Sequence, residues 1–178
     1  MRLYEMPFLL DKVQWFRAQK QARREKKKKS RKPKFVPLAS SLRCYPVRFG
    51  PDTEVIEFIH DMMDDANLKS VSIIMCLGSI KACVLRIPNT MEYRQLNSTC
   101  EIVSITGTFD CENGHHVRGI FNDDKGTIIS GDIESLTVYK TVEIVLAECQ
   151  DVIFSREHDS RTGSDELVIK RKLFKEMD

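Results

Sequence analysis

A block of positive charge near the N-terminus is the feature that most constrains how this chain can fold. Residues 23–34 read RREKKKKSRKPK, with nine basic residues and one acidic residue in twelve positions. Such a block repels itself and buries almost no apolar surface, so we predict that it is disordered in isolation. Its physical use is to neutralise phosphates or to be recognised by an import receptor, whereas a solubilising linker is the alternative.

Charge is divided unevenly between the N-terminal region and the rest of the chain. Residues 1–48 hold 15 lysines and arginines against 3 acidic residues, whereas residues 49–178 hold 13 against 23. The formal net charge of +2 hides this division. A basic arm on an acidic body is typical of proteins that bind nucleic acid or a membrane surface, although such an arm can also fold back on its own body.

The segments on either side of the basic block differ in character. In residues 1–20, Pro7 and the spacing of Leu10, Val13 and Phe16 predict a short helix. This helix either packs on its own domain or frays, or it acts as a basic amphipathic helix of the membrane-surface or calmodulin-target kind. After the block, Pro33, Pro37 and a Leu-Ala-Ser-Ser segment form a linker, and the folded body is expected to begin near residue 41.

Neither a membrane-spanning segment nor a secretory signal is expected. No apolar run approaches the roughly 18 residues of a membrane-spanning helix, and the apolar run at 7–10 is too short for a signal core. We therefore expect an intracellular protein with reduced cysteines and no structural disulfide. Four cysteines lie in apolar runs and are predicted to be buried, namely Cys76, Cys83, Cys100 and Cys149.

From residue 41 the pattern is rich in β-strands and contains one clear helix. The helix is predicted over 53–66, with Asp52 or Thr53 as its N-cap. Its apolar face comprises Val55, Ile56, Ile59, Met62, Met63 and Ala66. Strands are predicted over 42–49, 71–77, 82–87, 101–109, 115–121, 127–133 and 137–148, followed by a hairpin of 152–154 and 167–170 around an exposed polar loop at 155–166. These elements define an α+β fold, with a mainly antiparallel sheet of about seven strands and one main helix.

The sequence contains few candidates for catalytic chemistry. It has no phosphate-binding glycine loop, no G-x-S-x-G serine and no HExxH motif. Cys111, His115 and His116 beside Asp110 carry metal-ligating groups, but consecutive histidines in a strand point to opposite faces. His60 and His158 have no obvious partners. We therefore predict no catalytic residue, no metal site and no cofactor.

Five segments of the body, taken in order, resemble the PPC domain (plants and prokaryotes conserved). They are VRFGPDTEVIEFIHDM, SIIMCLGSIKACVLR, CEIVSITGTFD, GHHVRGIFNDDKGTIISGDI and TVEIVLAE. The resemblance implies three parts: a basic arm with a short helix and linker at 1–40, a PPC domain at 41–172 and a tail at 173–178. It also implies a homotrimer.

Some PPC members hold a metal through three histidines. The matching positions here are His116, Arg118 and Asp132, a set that predicts an ion-pair or hydrogen-bond network in place of a metal site, because Arg118 is permanently positive. With Glu101, these residues form the predicted pocket at the subunit interface.

Plant PPC proteins are nuclear and carry AT-hooks that bind AT-rich DNA, and they recruit transcription regulators. The AT-hook centres on R-G-R-P, whose glycine lets the backbone enter the minor groove. This chain has Ser30-Arg31-Lys32-Pro33-Lys34, which lacks that glycine, so we predict an AT-hook-like or nonspecific basic arm. The plant partner-binding segment G-R-F-E-I-L matches residues 98–103 only at Glu101 and Ile102, so plant-type partners are not assumed.

Two functions from different classes remain open. The first is a non-enzymatic, nuclear homotrimer that binds DNA with little sequence selectivity and has a role in transcription regulation. Its DNA contacts are predicted at Arg23, Arg24, Lys26, Lys27, Lys28, Lys29, Arg31, Lys32 and Lys34. The alternative is a small-molecule- or metal-binding trimer, either enzymatic or not, in which the arm serves only for localisation and the protein can be cytoplasmic. Attachment to a membrane surface through residues 1–29 is a third possibility.

Overall fold

The computed structural model of the protein describes residues 17–21, 37–88, 90 and 92–173. The chain divides into two units, residues 1–37 and 38–178. In the first unit, residues 17–21 are helical, while the rest of the predicted N-terminal helix and the basic block at 23–34 lie outside the described residues. Within the described part of the chain, no helix is both long and apolar enough to cross a membrane.

The second unit contains eight strands and one helix among its described residues. In chain order they are β1 (Leu42–Phe49), α1 (Val55–Asp65), β2 (Ser70–Arg86), β3 (Tyr93–Leu96), β4 (Cys100–Asp110), β5 (His115–Asp123), β6 (Ile128–Cys149), β7 (Val152–Asp159) and β8 (Ser164–Arg171). The mainly antiparallel α+β fold expected from the sequence is therefore confirmed.

Six strands form one antiparallel sheet in the order β1-β6-β5-β4-β2-β3, and β2 also pairs with β6. Because β2 pairs with both β4 and β6, the pairings run in a circuit and the sheet closes on itself. Helix α1 packs on this closed sheet, and the buried core includes Ile59 of α1 with Phe109 and Phe121 of the sheet. Strands β7 and β8 form a separate two-stranded sheet.

Two pairs of predicted strands are each one long strand. The predicted strands 71–77 and 82–87 both fall on β2, except for Ile87, and the predicted strands 127–133 and 137–148 both fall on β6, except for Thr127. Register shifts along the β2–β6 pair, such as the one between Ile73 and Met75, change the phase of the apolar alternation without ending the strand. A change of phase resembles a strand end when only the sequence is read.

The helix begins two residues later than predicted and is capped by a different residue. Glu54 is the N-cap, and its carboxylate accepts a hydrogen bond from the Glu57 N–H at 2.6 Å. Asp52 instead adopts a positive φ of 69° in the preceding turn. The predicted apolar face is buried at Val55, Ile56, Ile59 and Met63 and half-buried at Met62, but Ala66 is exposed because it is the C-cap.

The cysteines are free thiols with different exposures. Cys76, Cys83 and Cys100 are buried as expected, and burial raises the pKa of Cys76 and of Cys83 to about 12. Both thiols are therefore neutral and unreactive near pH 7. Cys149, which was also predicted to be buried, is only half-buried at the end of β6.

The hairpin is longer than the sequence suggests. Residues 155–166, predicted as a loop, mostly continue the pairing of β7 with β8, and only a short turn ending at Gly163 connects the two strands. Because the residues near this turn are polar on both faces, no apolar alternation marks them as strands. The short strand β3 was missed for a similar reason, since three of its four residues are exposed.

Candidate functional site

A polar cleft lies between the closed sheet and the β7–β8 hairpin. It has a volume of about 930 Å³ and is hereafter called the Asp132 cleft. The sheet side is lined by Arg86, His115, His116, Arg118 and Asp132, and the hairpin side by Arg156, His158 and residues 163–166, with Pro88 and Thr90 at the margin.

Asp132 is the centre of the ion pairs in this cleft. Its side chain is only 7% exposed, and it lies directly across from Arg118 on β5 and from Arg86 on β2. The Arg118 Nε donates to Oδ1 at 2.9 Å, and the Arg86 Nη2 lies 3.0 Å from Oδ2. His116 Nε2 is 3.5 Å from Oδ1. The register of three strands therefore places two guanidinium groups and an imidazole around one buried carboxylate.

The structure brings together three of the four predicted pocket residues, His116, Arg118 and Asp132. Glu101 does not line the cleft, because it lies near the start of β4, opposite Asn122 and Ser79. Arg86 was missed, since nothing local in the sequence shows that the end of β2 lies beside Asp132. The location of this pocket at a subunit interface stays a prediction.

The residues around Asp132 do not fit the metal that some PPC members hold. Two permanently charged guanidinium groups contact this carboxylate, and they oppose the binding of a cation at the same position. Among the described residues, no group of three or more histidines, cysteines or acidic residues is placed to hold a metal ion.

His115, which lines the cleft, forms a second polar contact with His60. His60 Nε2 on α1 lies 3.1 Å from His115 Nδ1 on β5. The sequence showed no obvious partner for His60, and the structure supplies one. His115 Nε2 is 3.3 Å from the carbonyl oxygen of Ile133, which can only accept. This assigns the proton of neutral His115 to Nε2, so His60 donates to its Nδ1. His115 and His116 thus have different partners.

This contact predicts a dependence of stability on pH. Burial, and secondarily the neighbouring His115, lower the pKa of His60 below 6.5, while Asp110, Asp64 and Asp61 oppose the shift. Its contribution to stability is therefore complete above pH 6.5 and is lost as the pH falls, because the unfolded chain takes up the proton first. We expect His60→Gln to lose less stability than the wild type between pH 7.5 and 5.5, as measured by urea unfolding.

A matched control for this prediction is His158→Gln. His158 lies in the hairpin with a largely exposed ring, 3.4 Å from Asp165. This substitution should leave the effect of pH on unfolding close to that of the wild type. Equal pH dependence of unfolding in the His60→Gln variant and the wild-type protein would contradict a lowered pKa of His60 in the folded protein.

The hairpin is attached to the closed sheet by one buried ion pair and by backbone hydrogen bonds. Arg156 Nε is 3.1 Å from Oδ2 of Asp110, whose side chain is 1% exposed, and Arg156 Nη2 donates to Thr108 Oγ1 at 3.1 Å. The Phe154 N–H donates to the Lys69 carbonyl, and the Cys111 N–H donates to the Phe154 carbonyl. These contacts fix the hairpin side of the cleft.

Together, the closed antiparallel sheet, the single packed helix and the cleft centred on Asp132 define a small α+β domain. Residues 38–150 match the family model of the Plants and Prokaryotes Conserved (PCC) domain, the domain called PPC above. The chain belongs to this family, so the resemblance drawn from the sequence is confirmed. The match ends before β7, so the hairpin lies beyond the matched residues.

Several solved structures share this fold. A hypothetical protein from Salmonella cholerae-suis is 31% identical, with a TM-score of 0.73, and the match covers 76% of this chain and 99% of that one. A metal-containing protein from Archaeoglobus fulgidus is 15% identical, with a TM-score of 0.67 and coverages of 75% and 99%. A candidate DNA-binding protein from Bacteroides thetaiotaomicron is 18% identical, with a TM-score of 0.62 and coverages of 72% and 96%.

Two curated relatives are much longer than this chain. Both are the bifunctional protein GlmU, from two strains of Synechococcus. One is 29% identical over 141 residues, which are 79% of this chain and 22% of the relative; the other is 28% identical over 131 residues, which are 73% and 21%. The chain thus spans about a fifth of the length of these relatives.

Proposed function

We propose that this PPC protein is a non-enzymatic, oligomerising protein of the nucleus that associates with DNA or chromatin through its basic arm and takes part in transcription regulation. The observation that carries the proposal is the block at 23–34, where nine of twelve residues are basic, beside an acidic folded unit. Candidate DNA-binding proteins among the structural neighbours, from Bacteroides thetaiotaomicron and Ralstonia eutropha, support it.

The chemistry of the arm predicts how it binds DNA. Lysine and arginine neutralise backbone phosphates and release counterions, so affinity falls steeply as salt rises. Phosphate contacts carry no sequence information, and the arm lacks the glycine of an AT-hook. DNA binding should therefore be strongly salt-dependent and only weakly selective.

Exposed apolar residues on the outer face of the sheet support an oligomer. Val103 of β4, Ile120 of β5 and Ile128 of β6 are all exposed. Ile120 pairs with Ser104, the residue after Val103, and Ile128 pairs with Asn122, two residues along β5 from Ile120. Such a group of neighbours marks an interaction surface more often than a single exposed residue does. We propose that a homotrimer covers this surface, and that three arms on one assembly bind DNA far better than one because each arm raises the effective concentration of the others.

Variants of the basic arm test its role in DNA binding. Replacing Lys26, Lys27, Lys28 and Lys29 together by alanine should abolish duplex binding at moderate salt and reduce the slope of log K against log salt by about 3 to 4 for each arm that contacts the duplex. Arginine at the same four positions preserves the charge and should preserve binding. Unchanged DNA affinity and nuclear retention of the alanine variant would refute the role of the arm.

Light scattering of the purified full chain tests the oligomer separately. A trimer should show three times the chain mass of 20.6 kDa without DNA, and that mass plus the mass of the bound duplex when a short duplex is added. A monomer would refute the proposed assembly, whether or not the arm binds DNA.

A further inference from the structure

Beyond DNA association, we propose that the Asp132 cleft binds a small organic oxyanion, a phosphate or a carboxylate, through Arg86 and Arg118, which Asp132 holds in position.

Asp132 contacts both arginines. Its carboxylate is almost fully buried and is contacted by both guanidinium groups, so its charge is already compensated. A guanidinium has more N–H donors than one carboxylate can accept, so donors remain on both arginines. The Arg118 side chain is 52% exposed and lines the cleft, as does Arg86. The remaining donors are therefore accessible from the cleft.

The sheet side of the cleft is rich in charged groups. Arg86 and Arg118 bring two permanent positive charges to the sheet side of the cleft, and the buried carboxylate of Asp132 compensates one of them. Glu134 also contacts Arg86, at 3.2 Å, but its side chain is more exposed than that of Asp132, so solvent screens it more strongly. Guanidinium groups held in a fixed orientation are suited to bidentate contacts with phosphate or carboxylate oxygens.

The hairpin forms the opposite wall of the cleft. The hairpin contributes His158 and Ser164, together with the exposed carboxylates of Asp165 and Glu166. Acidic groups on this side disfavour a second anionic group and favour hydroxyl or amine donors. The cleft is also larger than a phosphate ion. It therefore suits an organic ligand with one oxyanion, bound at the sheet side, and donor groups directed toward the hairpin.

The experiment is a calorimetric titration of the full chain with inorganic phosphate at low salt. All proteins compared carry alanine at Lys26–Lys29, so that the arm does not contribute. We expect one saturable site per chain, and at least a tenfold loss of affinity in Arg118→Met and in Arg86→Met. Arg118→Lys, which keeps the charge but not the planar donor group, should show an intermediate loss.

Arg43→Met is the matched control. Arg43 is an exposed arginine of β1 that does not line the cleft, so this variant should bind phosphate as the parent protein does. Absence of saturable binding in the parent protein, or an equal loss in Arg43→Met, would overturn the proposal.

A second measurement distinguishes binding of a small ligand from binding of DNA phosphates. Arg118→Met in the chain with its natural basic arm should leave the affinity for a short duplex unchanged. A parallel loss of duplex affinity would assign Arg118 to a DNA contact and overturn the small-ligand proposal. Failure of DNA binding by the arm would leave the phosphate titration unaffected, so the two proposals fail separately.

Discussion

The Gly78→Ala variant is expected to lose about 4 kcal/mol of unfolding free energy, a large part of the stability of a small domain. Gly78 has a φ of +136°, which L-residues with side chains rarely adopt. A Cβ atom there would lie 2.1 Å from the Thr141 carbonyl oxygen and 2.8 Å from the Val142 Cα. Both atoms belong to the backbone of β6, so neither can move without disturbing the closure of the sheet by β2 and β6.

Two other glycines separate the causes of this loss. Gly126 has a φ of +79° but open space around it, so Gly126→Ala should cost only about 1 to 2 kcal/mol of backbone strain. Gly50 has neither a positive φ nor a close neighbour, and its alanine variant should stay within about 0.5 kcal/mol of the wild type. Urea unfolding measures all three. A Gly78→Ala variant no less stable than Gly126→Ala would contradict the close approach of β2 and β6.

The Arg156→Ala variant should lose about 3 kcal/mol of unfolding free energy, because it leaves a buried carboxylate without its cation. Asp110 would keep the N–H groups of Glu112 and Gly114, each 2.9 Å from Oδ1, but Oδ2 would lose its charged partner. Unfolding should remain a single transition in the wild type, since the hairpin and the sheet share this pair. The measurement is urea denaturation followed by circular dichroism.

Arg161→Ala provides the control within the same hairpin. The Arg161 side chain is 86% exposed and pairs with Asp159 at the turn, so its removal should cost far less unfolding free energy than the removal of Arg156. Replacing Asp110 by asparagine and Arg156 by methionine together should recover much of the loss, since no unpaired buried charge remains. Equal losses in the Arg156→Ala and Arg161→Ala variants would show that the hairpin is only loosely attached to the family-matched residues 38–150.

Much of the fold follows from local patterns. The helix could be predicted because apolar residues recur at helical spacing from Val55 to Met63 and pack on one face. Strands β1, β4 and β5 could be predicted because each alternates between a buried and an exposed face. The N-cap was assigned wrongly, because Glu54 caps the helix while also accepting from the Leu136 N–H on β6, a contact distant in sequence.

The candidate site was only partly predictable. His116, Arg118 and Asp132 followed from the resemblance to the family, but Arg86 joins them through the pairing of β2 with β6. The contact of His60 with His115 likewise links a helix to a strand 55 residues away. Neither contact leaves a signal in the local sequence. The free energy of burying these polar groups and the free energy gained from their contact both depend on how the distant elements pack.

The sequence by itself determined the separation of a basic arm from an acidic body, the family of the body and the identity of its main helix. Charge runs and apolar periodicity are properties of residues that are close in sequence, so they can be recognised without knowing how the rest of the chain folds. Only the tertiary structure decided that β2 and β6 each continue through their register shifts. It also decided that the ion pair of Asp110 with Arg156 attaches the hairpin to the sheet, and that two arginines contact Asp132. These features depend on strand register and on the burial of charge, which exist only once distant segments have come together.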